Sequence, residues 1–111
     1  MRRYKQQALD IPLSEMCHQQ IQILDAAIDL ARTKPYTAIS RYDLCDRVGY
    51  SAALINYYAG TMRYVRIHMM RRAIQTQALH VLAQGIANYD PEALKAPPSL
   101  RRKVGTYIAS Q

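Results

Sequence analysis

The stretch Ser40-Arg41-Tyr42-Asp43-Leu44-Cys45-Asp46-Arg47-Val48-Gly49-Tyr50-Ser51-Ala52-Ala53-Leu54-Ile55-Asn56-Tyr57-Tyr58-Ala59-Gly60 decides how this chain is read. Ser40 with Asp43 three residues on is a capping-box-like helix start, and Tyr42, Leu44, Cys45 and Val48 follow inside that helix. Gly49 stops it, because glycine enters left-handed backbone without steric cost. Ser51 then caps a second short helix carrying Leu54, Ile55 and Tyr58, which Ala59-Gly60 ends. Two short helices joined by a tight glycine turn are the layout of a helix-turn-helix. In that layout the second helix turns small or hydrogen-bonding side chains outward, so that it can enter a major groove. Its outward candidates are Ala52, Ala53, Asn56 and Tyr57, while Leu54 (or Ile55) and Tyr58 are divided between core and groove rim.

The flanks extend the helical pattern. Residues 1–13 read as an irregular arm with a basic tip at Arg2, Arg3 and Lys5, ended by Pro12. Ser14 is the expected cap of the first helix, with Glu15 in its first turn and Ile21, Leu24, Ala27, Ile28 and Ala31 at helical spacing. That helix is expected to end near Thr33-Lys34, because Pro35 disfavours helical geometry in the residue before it. Thr61 caps a fourth helix with no Pro or Gly through Gln84. Its apolar residues exceed one stripe, which predicts burial on more than one side. Asp90-Pro91 opens a short piece through Lys95, and residues 99–110 read as a last helix with Leu100, Val104, Tyr107 and Ile108 along one face. No strand alternation and no internal repeat compete with this reading. The expected fold is all-α, a single helical domain made of the arm (1–13), a helix-turn-helix unit (14–60) and a long helix with a C-terminal dimerisation segment (61–111).

The 111 residues suit one domain, and with 50% hydrophobic residues a folded core is within reach. Fifteen basic against eight acidic side chains leave +7, which favours polyanionic partners, nucleic acid before an anionic membrane. The excess is uneven. Residues 1–60 carry seven basic and six acidic groups, whereas residues 61–111 carry eight and two. Arg63, Arg66, Arg71 and Arg72, then Arg101, Arg102 and Lys103, supply that second-half surplus. No apolar run approaches the roughly 18 residues of a membrane span. Cys17 and Cys45 make no disulfide framework, so a reducing compartment is the default. The expected location is cytoplasmic, in association with the nucleoid.

The runs Ile23-Leu24-Asp25-Ala26-Ala27-Ile28-Asp29-Leu30, Pro35-Tyr36-Thr37-Ala38-Ile39-Ser40 and Leu44-Cys45-Asp46-Arg47-Val48-Gly49-Tyr50-Ser51 together resemble the DNA-binding domain of the TetR family. The resemblance spans about residues 20–66 and keeps the family's spacing without a gap. It implies duplex DNA as partner and a repressor's mode of action. There are departures. Pro35 replaces the family's glycine before the turn tyrosine, Tyr50 replaces a valine, and Met62, with Arg63 beside it, replaces a phosphate-binding lysine. The recognition stretch Ala52–Ala59 also differs, so base preference does not carry over. Only about 45 residues follow the matched region, which implies that the family's inducer domain is missing and that no small-molecule inducer acts.

Individual residues follow from these readings. Asn56 is the candidate for bidentate pairing with adenine. Tyr57 and Tyr58 are candidates for phosphate hydrogen bonds or for packing on a thymine methyl, Tyr58 being the more buried of the two. Ser40, Arg41 and Tyr42 lie where a helix N-terminus attracts phosphate. Ser51, Ala52 and Ala53 approach the groove, and Arg2, Arg3 and Arg63 hold the backbone. Tyrosine is the chain's only aromatic type, so Tyr36 and Tyr64 are assigned to the core rather than to base stacking. Met62, Met69, Met70 and Ile74 are the expected homodimer surface, since one helix-turn-helix rarely suffices. Cys17, His18, Cys45, His68 and His80 lack zinc-ligand spacing. With no carboxylate pair and no phosphate-cradling loop, no metal, cofactor or enzymatic activity is expected. The function these features predict is a dimeric, sequence-specific DNA-binding regulator, of a size suited to a phage or plasmid. The alternative is a protein-interaction module that uses the helix-turn-helix as a scaffold.

Overall fold

The computed structural model describes residues 10–111, and all regular structure among them is helical. The expected arm residues Arg2, Arg3 and Lys5 lie outside the described residues. Six α-helices follow in order: α1 (His18–Leu30), α2 (Arg41–Val48), α3 (Ala52–Ala59), α4 (Met62–Thr76), α5 (Leu79–Ala87) and α6 (Pro98–Ala109). Short 3-10 turns at Leu13–Glu15, Tyr36–Ala38 and Ala93–Lys95 join them.

The first helix begins later than Ser14 suggests. Leu13–Glu15 forms only a 3-10 turn, and extended backbone at Met16 separates it from α1. Cys17 is the actual N-cap, where the Gln20 side-chain carbonyl accepts the Cys17 N–H at 2.8 Å. Regular helix stops at Leu30, and Thr33 and Lys34 are turn residues whose N–H groups both donate to Leu30 O.

The expected fourth helix is two helices. Gln77 adopts left-handed backbone (φ 57°, ψ 47°), and the Ala78 N–H returns to Ala73 O at 2.9 Å. This is the Schellman pattern that glycine usually serves. The chain then folds back, so that α5 packs against α4 on one side and α6 on the other. Gly85 is tightly packed, and a Cβ added there would lie 2.6 Å from Ala93 Cβ and 2.7 Å from Met70 Cε. The lack of a side chain at Gly85 lets α5 close over α4.

Ile23, Leu24 and Ala27 of α1, Leu44 of α2 and Ile55 of α3 join Val65, Met69, Met70 and Ala73 of α4 in one buried cluster. Val81 and Leu82 of α5 and Leu100 and Val104 of α6 extend it. Val65, Met69, Met70 and Ala73 of α4 are thus covered within one chain. Met69 and Met70 are 1% and 0% exposed, so they are removed from the expected dimer surface. Met62 and Ile74 remain half-buried. No helix among the described residues is long and apolar enough to cross a membrane.

Candidate nucleic-acid interface

Local capping builds the α2–α3 pair as its sequence predicts. Asp43 N–H donates to Ser40 Oγ at 3.1 Å, and Ser40 N–H donates back to Asp43 Oδ2 at 2.8 Å. Lys34 Nζ donates to the same carboxylate at 2.7 Å, and this bond with the Ser40 amide holds the Asp43 carboxyl below the usual range. Gly49 ends α2 in left-handed backbone at φ 81°, and Ser51 Oγ accepts the Leu54 N–H at 3.2 Å to start α3.

Two long-range hydrogen bonds fix the pair against α1. Gln20 Nε2 donates to Tyr58 O at 2.9 Å, at the end of α3. Tyr50 OH donates to Gln22 Oε1 at 2.7 Å, beside the turn. Tyr58 packs its ring between neighbours, 6.0 Å from the Tyr50 ring and 5.2 Å, edge-on, from the Tyr57 ring. Ile55 and Ala59 anchor α3 in the core.

The outward arc of α3 is left at the surface. Ala53, Leu54, Asn56 and Tyr57 are exposed, Ala52 is half-buried, and Ser51 is exposed at the cap. Tyr58 is half-buried, in line with its division between core and rim. Tyr36 is buried, and Tyr64 is half-buried with its ring against His68.

At the start of α2 the expected phosphate site is partly taken. Ser40 spends both its hydroxyl and its amide on Asp43, so the carboxylate already neutralises that helix end. Tyr42 is 69% exposed, and Arg41 is half-buried with its Nε enclosed and lacking a hydrogen-bond partner.

The basic surplus of the second half is smaller than the sequence suggests. Arg72 Nε donates to Asp25 Oδ1 at 2.8 Å, and Arg71 bonds Glu92 at 3.0 Å and Asp10 at 3.1 Å. These carboxylates raise the pKa of both guanidinium groups, and Arg71 in turn lowers that of Glu92. Arg47 pairs with Asp29. Among the described residues, Arg41, Arg63, Arg66, Arg101, Arg102 and Lys103 have no carboxylate partner. Arg63 is exposed at the second position of α4, with its guanidinium 5.8 Å from the Tyr64 ring centre.

Arg63 and Arg66, one helical turn apart, line a cleft of about 420 Å³ with Tyr36, Thr37, Ile67 and the Asp90–Glu92 turn. A second groove of about 390 Å³ runs between α1, α5 and the end of α6. The size of the chain alone therefore does not exclude a small ligand. Among the described residues, no group of three or more Cys, His, Asp or Glu is placed to hold a metal ion.

Sequence reasoning missed Gln84. Its side chain joins α5 to both ends of the segment before α2, donating to Ala31 O at 2.8 Å and accepting the Tyr36 N–H at 2.7 Å. Tyr36 OH donates to Asp90 Oδ2 at 2.8 Å, and burial together with that carboxylate pushes the phenol up to about 12. A glutamine inside an apparently continuous helix gives no local signal of such a role. Compared with known proteins, the chain matches no family model, no curated protein and no solved structure.

Proposed function

We propose that this chain is a sequence-specific regulator of transcription that binds duplex DNA by placing α3 in the major groove. The observation that carries the reading is the α2–Gly49–α3 pair, whose outward arc is exposed while its inward side is anchored. The resemblance of residues 20–66 to the TetR DNA-binding domain supports it, as does the net charge of +7. Arg63, and Arg41 and Tyr42 at the start of α2, are suited to phosphate contact. Repression by occupying a promoter is the simplest mode of action.

A homodimer reading two half-sites remains part of this proposal, although its surface changes. With Met69 and Met70 in the core, the residues left for a partner are Met62, Ile74 and the end of α6, where Ile108 is 49% exposed. A second reading, a protein-docking module, is favoured by the uncharged, partly apolar arc of α3.

Salt titration separates the two. Binding to a random duplex whose affinity falls linearly in log K against log salt follows from phosphate contacts. Enrichment of particular genomic fragments by the purified protein would then establish sequence preference. No duplex binding even at low salt would sink the DNA reading and leave the docking module.

A further inference from the structure

The eight residues of α3, Ala52-Ala53-Leu54-Ile55-Asn56-Tyr57-Tyr58-Ala59, include no charged side chain. Ile55 and Ala59 define the buried side. At helical spacing the opposite side carries Ala53 and Tyr57, one turn apart, with Leu54 and Asn56 on its two flanks. Leu54 is 42% exposed and Tyr57 56%, so apolar surface stands in water on one flank and at the centre of the arc.

Base edges in the major groove differ in what they require. Guanine O6 and N7 are read by Arg or Lys, and cytosine N4 by a carboxylate. Adenine N6 and N7 are read by Asn or Gln, and the thymine C5 methyl by apolar contact. The arc holds groups of the last two kinds and none of the first two. The arginines without carboxylate partners nearest in sequence, Arg41, Arg63 and Arg66, lie on α2 and α4. The Nε of Arg41 is moreover enclosed.

Resting on the groove-reading role proposed above, we infer that α3 selects a core of A·T pairs. Asn56 takes one adenine through its amide, and Ala53, Leu54 and Tyr57 cover thymine methyl groups. The arginines act on the phosphates and contribute no preference for guanine. The chemical class of the recognised element is thus a methyl-lined A·T stretch, read by shape and apolar contact around a single amide–adenine pair.

The test begins with selection of duplexes from a randomised pool by the full chain, in which half-sites with consecutive A·T pairs are expected to be enriched. The selected site is then resynthesised with deoxyuridine for thymidine, which keeps every hydrogen bond and removes only the methyl groups. Affinity is expected to fall about fourfold per contacted methyl, from the transfer free energy of one buried carbon, while random duplex is bound as before. Because this change is in the DNA, no folding defect can imitate it. Replacing the contacted adenine by 7-deazaadenine removes only the N7 acceptor and should cost part of what Asn56→Ala costs, and the two together should cost no more than Asn56→Ala alone. Enrichment of a G·C core, or indifference to deoxyuridine, would overturn the A·T assignment while leaving duplex binding in place. Absence of any enrichment together with absence of salt-sensitive duplex binding would overturn the groove-reading role and this inference with it.

Discussion

The Tyr36 backbone N–H donates to the Gln84 side-chain oxygen at 2.7 Å across 48 residues, tying the turn before α2 to the middle of α5. The Gln84 side-chain Nε2 in turn donates to Ala31 O at 2.8 Å, at the end of α1. One half-buried side chain therefore holds the entry to the helix-turn-helix against the C-terminal helices. Gln84→Ala leaves a buried N–H and a carbonyl without partners and should cost about 1–3 kcal/mol of stability by urea denaturation. Gln84→Glu keeps the acceptor for Tyr36 but loses the donor to Ala31, so it should also destabilise. An unchanged midpoint in both variants would show that water replaces these bonds at no cost.

The break at Gln77 gives a prediction whose sign is diagnostic. A non-glycine residue in left-handed backbone carries a steric cost of about 1–2 kcal/mol. Gln77→Gly should therefore raise stability by about 0.5–1 kcal/mol, even though it removes the exposed Lys103–Gln77 hydrogen bond. Were residues 61–84 one continuous helix, the same substitution would cost about 1 kcal/mol. Thermal melting of the two proteins distinguishes the architectures.

His68 predicts a pH dependence. It is 2% exposed, its Nε2 has no partner, and the Tyr64 ring lies against it. Burial, then the Arg71 charge, depress its pKa below the ordinary 6.5, against the smaller opposing pull of Asp10 and Glu92. The folded state thus rejects a proton that the unfolded chain accepts. This contribution to stability is complete above about pH 6.5 and is lost as the pH falls from there toward the depressed folded pKa. His68→Met removes the ionisation while keeping apolar bulk. The Tm of the variant should fall less than that of the parent between pH 7 and pH 5. Parallel pH profiles would place the acid sensitivity elsewhere.

Two arginines of α4 should behave oppositely. Arg63 is exposed without a carboxylate partner, whereas Arg72 is held by Asp25. Arg63→Ala should weaken binding to selected and random duplex alike and reduce the slope of log K against log salt by about one unit. Arg72→Ala should leave that slope unchanged and act only on stability, by about 1 kcal/mol or less for so exposed a pair. Equal effects of the two on DNA binding would refute the division.

A contrast within α3 completes the set. Asn56→Ala should cost about 1–3 kcal/mol on the selected site, relax preference at one base pair and spare random duplex. Loss of both kinds of binding together, with normal circular dichroism, would show that α3 is not seated in the groove.

The local features of this chain follow from chemistry that acts over a few residues. The reciprocal cap of Ser40 and Asp43, the left-handed stop at Gly49 and the start of α3 at Ser51 arise from side chains bonding backbone within a turn, or from glycine's backbone freedom. Residue types at helical spacing likewise predicted the inward Leu44 and the outward Asn56, whereas the choice between Leu54 and Ile55 for the core was made by packing, which buries Ile55. Ser14 marks the limit of that logic, because a good cap residue starts a helix only where the following backbone can continue it. The break at Gln77, the fit of Gly85 over Met70, the pairing of Arg72 with Asp25 and the span of Gln84 were decided only by the tertiary structure. Each joins groups tens of residues apart or follows from such a junction. Burial also decided which apolar residues of α4 a partner can reach. Whether Met70 faces a second chain or its own α5 depends on where that helix turns back, and no residue next to Met70 in sequence encodes it.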